Sequence, residues 1–310
     1  NSGSAVDAVP EDLDVYSADP VFFFFYQVGA GNYVVYNGAG SSVTVSGLTE
    51  GFDYHLAVFE YNGDNGTQNY LTTDAPAGSL TKLTAEPTTA ASALEMTPLG
   101  STALNLSWTP GDGESHIVVM KKGSAVDGLP ADGETYFGSP SFGFGDEIDG
   151  TGCYVIYKGT GTSVTVYNLD PASAYHAAVY GFNGAFGSEN YLTDAPATAS
   201  QTTLATEPTT QASSAQLTQD DETTMSLSWS PGDGDGQIVL MSEGAPVGQD
   251  PVDGVDYTAS SSYGAGDEIA SGTFVVYKGS GTVTTVSDRS PESTYHVTVY
   301  TYNGCGASAN

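Results

Sequence analysis

Basic residues are what this sequence most lacks. Against 37 Asp and Glu it carries six Lys and Arg, for a formal charge of −31 over 310 residues. The six are Lys82, Lys121, Lys122, Lys158, Lys278 and Arg289, and they are scattered. Phosphate backbones and anionic membrane surfaces are gripped by clustered Lys and Arg, so nucleic acid and an anionic membrane are excluded as expected partners. Long apolar runs are missing too. No stretch approaches the roughly 18 residues of a membrane span, and residues 1–10 hold neither a basic n-region nor an apolar h-region. The chain opens on Asn1 rather than Met, so it is expected to be processed or cut from something longer. Cysteine is nearly absent. Cys153 and Cys305 do not make a disulfide framework. They read as two small apolar residues, with an intermolecular bridge through Cys305 as the alternative.

Aromatic residues are plentiful, at 11%, which is too many for a solvated acidic polymer. They fall in a repeat with a period near 120 residues. Ser107-Trp108-Thr109-Pro110-Gly111-Asp112-Gly113 returns as Ser228-Trp229-Ser230-Pro231-Gly232-Asp233-Gly234. Tyr36-Asn37-Gly38 returns as Tyr157-Lys158-Gly159 and Tyr277-Lys278-Gly279, and Tyr54-His55 as Tyr175-His176 and Tyr295-His296. Tyr70-Leu71-Thr72 returns as Tyr191-Leu192-Thr193. Glu86-Pro87-Thr88-Thr89 and Glu207-Pro208-Thr209-Thr210 mark short joints. The expected units are 1–84, lacking its first strands; 85–205, complete; and 206–310, lacking its last strand. Within a unit, short β-branched and aromatic runs alternate with Gly, Asn, Asp and Pro clusters, and no window holds a capped helical period. In the middle unit the predicted strands are 103–108, 116–120, 154–158, 163–167, 175–182 and 191–202. The reading is all-β, a string of sandwiches.

Three features together resemble the fibronectin type III domain. Leu104-Asn105-Leu106-Ser107-Trp108 with Pro110 looks like its second strand and core Trp. Leu169-Asp170-Pro171 followed by Tyr175 looks like its tyrosine corner. Residues 175–183 with a Gly-rich turn look like its sixth strand. The resemblance implies tandem fibronectin type III or immunoglobulin-like sandwiches, with Trp108, Trp229, Tyr54, Tyr175 and Tyr295 as structural residues. In the third unit Arg289 stands where Leu169 does, which predicts a looser corner there. The YNG and YLT signatures also resemble repeats of secreted and surface proteins of Bacteroidota-type bacteria. The unit departs from the family by an extended insertion after the third strand, which holds Phe142-Gly143-Phe144-Gly145-Asp146-Glu147 and, in the first unit, Phe22-Phe23-Phe24-Phe25-Tyr26-Gln27.

Side chains alternate along a strand. If Tyr175, Ala177 and Val179 point inward, then His176, Ala178, Tyr180 and Phe182 point outward. The same count turns out His55, Phe59 and Tyr61 in the first unit and His296, Tyr300 and Tyr302 in the third. Such an aromatic face is not left wet. The insertion folding back as a lid is the first reading, and contact with another subunit or a glycan or peptide ligand are the alternatives. The interface candidates are Phe22, Phe23, Phe24, Phe25, Tyr26, Tyr180, Phe182, Tyr300 and Tyr302. Four consecutive Phe cannot all face inward from one strand.

Catalytic signatures are absent: no Gly-x-Ser-x-Gly elbow, HExxH, P-loop or Cys/His zinc pattern occurs. Three of the four histidines occupy one repeat position in different units and read as sheet residues. No cofactor is required. Calcium is the inorganic option, with Asp112, Glu114, Asp233 and Asp235 in acidic turns as candidate ligands, weighed against plain solvated turns. Lys158 and Lys278 share a position that reads as a turn lysine, with an intramolecular Lys–Asn crosslink as the remote alternative. The expected function is therefore a non-enzymatic extracellular structural or adhesive repeat protein, a subunit or segment of a surface appendage or filament. Its expected partners are other copies, bound head to tail or by strand complementation, or flanking repeats. The alternative is a spacer or glycan-binding module of a larger secreted hydrolase, with surface glycans as ligands.

Overall fold

A computed structural model describes residues 1–24 and 26–310. Four strands lie in the first unit: β1 (Asp53–Ala57), β2 (Glu60–Asn62), β3 (Asn69–Leu71) and β4 (Ala77–Thr81). The middle unit holds β5 (Ser92–Pro98), β6 (Leu104–Thr109), β7 (Ser115–Lys122), β8 (Glu147–Ile148), β9 (Cys153–Gly159), β10 (Ser163–Val166), β11 (Ala174–Asn183), β12 (Asn190–Tyr191) and β13 (Ala197–Thr202). The third holds β14 (Ser213–Gln219), β15 (Met225–Ser230), β16 (Gly236–Glu243), β17 (Glu268–Ala270), β18 (Thr273–Gly279), β19 (Val283–Val286) and β20 (Tyr295–Tyr302). The one helical element described is a 3-10 turn, Gly306–Ser308.

The middle unit is a two-sheet sandwich. One sheet runs β10-β6-β5, and the other runs β8-β9-β7-β11 with β13 on the far side of β11 and β12 pairing with its end. The order E-B-A facing C′-C-F-G is the fibronectin type III arrangement. Between the sheets lie Leu104, Leu106, Trp108, Val118, Met120, Ile156, Val166, Leu169, Tyr175, Ala177 and Val179. Trp108 meets Tyr157 edge-on at 5.5 Å, and Trp229 meets Tyr277 at 5.3 Å in the third unit. Sequence reasoning misses β5 and its counterpart β14. Both begin on a bulge with a residue in the left-handed region, Ala93 (φ 50°) and Ser214 (φ 55°), which breaks the alternation. The run expected over 191–202 is split by Asp194-Ala195-Pro196 into β12 and β13.

The tyrosine corner is present in all three units. The Tyr175 hydroxyl accepts from the Asp170 amide at 2.9 Å, Tyr54 from Thr49 at 2.8 Å and Tyr295 from Ser290 at 2.7 Å. The third corner is thus as tight as the others, contrary to the expectation raised by Arg289. That side chain is buried and lies over the Tyr295 ring, 5.4 Å from its centroid, so its stem and guanidinium replace the leucine as packing. Two further clasps of the same kind recur. Tyr16, Tyr136 and Tyr257 accept from the amides of Glu11, Ala131 and Val252 at 3.0–3.1 Å. Tyr36, Tyr157 and Tyr277 accept from those of Gly40, Gly161 and Gly281. A chain with almost no helix leaves many turn amides unpaired, and tyrosine hydroxyls take up nine of them.

Candidate functional site

The outer face of the β7–β9–β11 sheet is covered by its own unit. Ile117, Val119, Val155, Ala178, Tyr180 and Phe182 form a second core with Ile148, Cys153 and Tyr191, closed by Val126 and Tyr136 of the insertion. The insertion is pinned there: Asp132 accepts from the Tyr191 amide at 2.8 Å, and the Tyr191 hydroxyl donates to the Glu134 carbonyl at 2.9 Å. The alternation expected along β11 is the alternation observed, and the lid is the insertion. Tyr180 and Phe182 are consequently buried and unavailable to a second subunit or a glycan, which corrects their assignment as interface residues. Burial also pushes the Tyr180 hydroxyl up to about 12. Tyr300 and Tyr302 are half-buried on the equivalent core of the third unit. The Tyr300 hydroxyl donates to Asp250 at 2.6 Å.

The phenylalanine run divides. Phe22 is 6% exposed. It packs edge-on against Tyr33 at 4.9 Å and Tyr54 at 5.0 Å. Phe142 makes the same two contacts with Tyr154 and Tyr175, and Tyr263 with Phe274 and Tyr295. Phe22 is therefore the anchor that ties the insertion to the tyrosine corner, not an interface residue. Phe23, Phe24 and Tyr26 are exposed, and Phe25 lies outside the described residues.

The calcium candidates are committed to backbone. Asp112 accepts from the Thr88 hydroxyl at 2.6 Å and the Thr89 amide at 2.8 Å, and those bonds hold its carboxyl below the usual range. Asp233 holds Thr209 and Thr210 in the same way, and its carboxyl is likewise lowered. Glu114 and Asp235 accept from the amides of Gly184 and Gly304. Among the described residues no three His, Cys, Asp or Glu side chains converge as a metal would need.

One buried polar cluster is rewritten from unit to unit. In the middle unit Lys158 bonds the fully buried Glu189 at 3.0 Å, and Thr135 donates to the same oxygen at 2.6 Å. Burial alone would raise the Glu189 carboxyl, but the bonds from Thr135, Lys158 and backbone amides bring it below its ordinary value. In the third unit Ala309 replaces Glu189 and Asp256 replaces Thr135, and Lys278 bonds Asp256 at 2.5 Å. In the first unit the three positions are Val15, Asn37 and Gln68, all neutral. The Lys–acid pair is lost or moved as a whole, so no unit buries a lone charge there. Both lysines pair with a carboxylate, which gives them a role other than a turn residue.

The joints between units are built from one device. The loop after β11 carries Asn183 and Asn190, whose side-chain amides donate to the carbonyls of Ala85 (2.8 Å) and Thr84 (2.9 Å) in the preceding linker. The Thr84 amide donates to the Ser188 carbonyl at 3.0 Å. In the third unit Asn303 and Asn310 hold Thr206 and Ala205 at 2.7 Å each, and the Ala205 amide meets the Ser308 carbonyl at 2.8 Å. Gly184 and Gly304 turn this loop at φ 90° and 82°, where a Cβ would stand 2.5 Å and 2.9 Å from the linker. Sequence reasoning misses the clamp, although Asn-Gly followed six residues later by Asn is its visible trace.

Two surfaces remain open. β11 has β7 on one side and β13 on the other, with Val179 opposite Ala197 and Ala174 opposite Thr202. Among the described residues β20 pairs along its length with β16 alone, and its Thr301 amide donates to the Gln211 side-chain oxygen at 2.7 Å. In the first unit β1 pairs with β4, and a single bridge joins Ser2 to Tyr54. Among the described residues no sheet stands across from it, and Leu56, Val58, Leu71 and Leu80 are exposed.

No family model matches the sequence, and no curated protein does. Among solved structures the chain is similar to a two-domain fibronectin type III segment of chicken tenascin, at 16% identity over 73% of this chain and 95% of that one, with a TM-score of 0.28. It is also similar to the FN1–FN3 domains of chicken CNTN1, at 13% identity over 86% and 74%, with a TM-score of 0.36. The fibronectin type III-like class rests here on strand order and the tyrosine corners. No helix among the described residues is long and apolar enough to cross a membrane.

Proposed function

We propose that this chain is a non-enzymatic, extracellular structural or adhesive repeat protein of bacterial-surface type, acting as a segment of an appendage or filament in which units join head to tail. One observation carries the reading: consecutive units are joined by the same asparagine clamp, Asn183 and Asn190 on the linker carbonyls of Ala85 and Thr84, and Asn303 and Asn310 on those of Thr206 and Ala205. The joints support it, because two side-chain bonds and one backbone bond at each make a stiff string rather than beads on a flexible tether. The uniform negative skin keeps such a string soluble. The test is mass against concentration by light scattering. The reading expects reversible growth beyond 31.9 kDa that a Phe23→Lys charge on the exposed aromatic stretch of the first unit suppresses. A chain that stays monomeric at every concentration overturns it.

A further inference from the structure

The chain holds two Asn-x-Ser/Thr triplets, the acceptor pattern for an N-linked sugar. They lie in opposite surroundings. Asn105-Leu106-Ser107 is inside β6, hydrogen-bonded to β5 on one side and β10 on the other. Leu106 is fully buried, and the Asn105 side-chain oxygen accepts from the Thr165 hydroxyl at 3.3 Å. That amide is out of a transferase's reach once the sheet has formed. Asn65-Gly66-Thr67 is the tip of the loop between β2 and β3. Asn65 is exposed, and among the described residues its side chain makes no hydrogen bond. A Cβ on Gly66 would meet nothing within 4 Å, so the space beside the asparagine is open.

The exposure belongs to the position, not to the first unit. The loop is stapled alike in all three units: the Thr67 hydroxyl donates to the Asp64 carbonyl at 2.7 Å, Ser188 to Ala185 at 2.8 Å and Ser308 to Cys305 at 2.9 Å. The hydroxyl residue is thus kept for the loop's own closure. Two residues before it the side chain changes freely, as Asn65, Phe186 and Gly306, each in the left-handed region at φ 47°, 55° and 55°. In the middle unit this loop holds the linker, and Phe186 is still 94% exposed. A group attached at this tip therefore stands in solvent without entering the joint. Of the three units only the first places an asparagine there.

We propose that Asn65 is an N-glycosylation site, loaded by a transferase from a glycosyl phosphate donor. The bond from Asn65 Nδ2 to the sugar's C1 forms as the C1–O bond to the donor phosphate breaks. The phosphate leaves with that electron pair, and Nδ2 gives one proton to a base of the transferase. The Thr67 hydroxyl is held inside the closed loop, so transfer takes place before the loop closes or while it is open. The sugar then sits on Asn65 and leaves the Thr67 staple free to re-form. It adds a bulky, solubilising group to the surface of the string. This rests on the extracellular part of the proposed function, because N-linked sugars mark surface loops of secreted chains.

The test is mass spectrometry of the chain recovered from its native cells and cut after tyrosine, which releases residues 62–70. The site predicts that this peptide carries a sugar mass, that fragmentation places it on Asn65, and that the peptide spanning Asn105 carries none. It predicts complete loss of the sugar in Asn65→Gly and in Thr67→Ala, and retention in Thr67→Ser. Asn65→Gly installs the third unit's residue and Thr67→Ser keeps the staple of the other two units, so both variants fold. An unmodified 62–70 peptide, a sugar that survives Thr67→Ala, or a sugar on Asn105 overturns the site. Where the chain is recovered separates this from its parent. An unmodified peptide on a chain outside the cell leaves the extracellular reading standing, and a chain found only in the cytoplasm removes that reading.

Discussion

The first and middle units are copies of one repeat in two surroundings. Leu56 on β1 and Val58 just after it correspond to Ala177 and Val179 on β11. The former pair is 50% and 51% exposed, the latter 1% and 0%. Strand pairing by itself is therefore not what buries a residue here; the facing β5–β6–β10 sheet is. What the first unit keeps is local: its tyrosine clasps and the Phe22 anchor on Tyr54. What it lacks is the long-range half of the core.

The largest effect expected on this comparison comes from the buried ion pair, which only the middle unit has in Lys–Glu form. Glu189→Ala leaves Lys158 unpaired and should cost that unit about 3 kcal/mol. Adding Thr135→Asp, the third unit's arrangement, should recover most of it, whereas Gln68→Ala in the first unit should cost far less. Thermal unfolding of the three variants checks this, and additive losses in the double variant would sink the exchange argument. Arg289→Leu should raise the third unit's stability by about 1–2 kcal/mol, because two nitrogens of the buried guanidinium have no partner among the described residues where the middle unit has Leu169. A destabilised variant would mean that the ring contact with Tyr295 outweighs desolvation. Tyr175→Phe should cost about 1 kcal/mol, and Tyr54→Phe only a few tenths, since the Thr49 amide it frees is exposed to water.

The smallest effect is acid sensitivity confined to the middle unit. His116 is buried beside Trp108, and neither ring nitrogen has a hydrogen-bond partner among the described residues. Burial lowers its basicity below the ordinary 6.5. The unfolded chain then binds a proton that the folded one refuses, so stability is full above about pH 6.5 and falls as pH drops through that value. The third unit has Gln237 in this place, and His116→Gln should flatten the profile between pH 6.5 and 5. An unchanged slope in that variant would assign the effect elsewhere. At lower pH, protonation of Asp112 and Asp233 loosens both linkers, because carboxyls held low by Thr bonds stabilise only while ionised.

The sandwich class, the corners and the parity of β11 were legible because each is written in local spacing: Trp then Pro, Leu-Asp-Pro then Tyr, period two. The clamp was not, because asparagine after an aromatic strand reads as any turn, and its partner lies about a hundred residues away. Phe22 was misassigned because the run around it is apolar on both sides, so periodicity cannot say which ring turns in. By count alone the acids leave the chain with a formal net charge of −31 and no more. Several are acceptors for turn amides instead, as with Asp146 for Phe137 and Asp267 for Thr258, both at 2.7 Å. That gives a helix-poor chain a use for carboxylates that a charge count does not reveal.

The central claim is that the asparagine clamps join consecutive units into one stiff string. Residue-resolved hydrogen exchange of the Thr84 and Ala205 amides tests it most directly, because each donates to the loop that clamps its linker. The account predicts slow exchange at both, and fast exchange at Thr84 alone in N183A/N190A. Fast exchange at both amides before any substitution, or slow exchange at Thr84 in that variant, would contradict it.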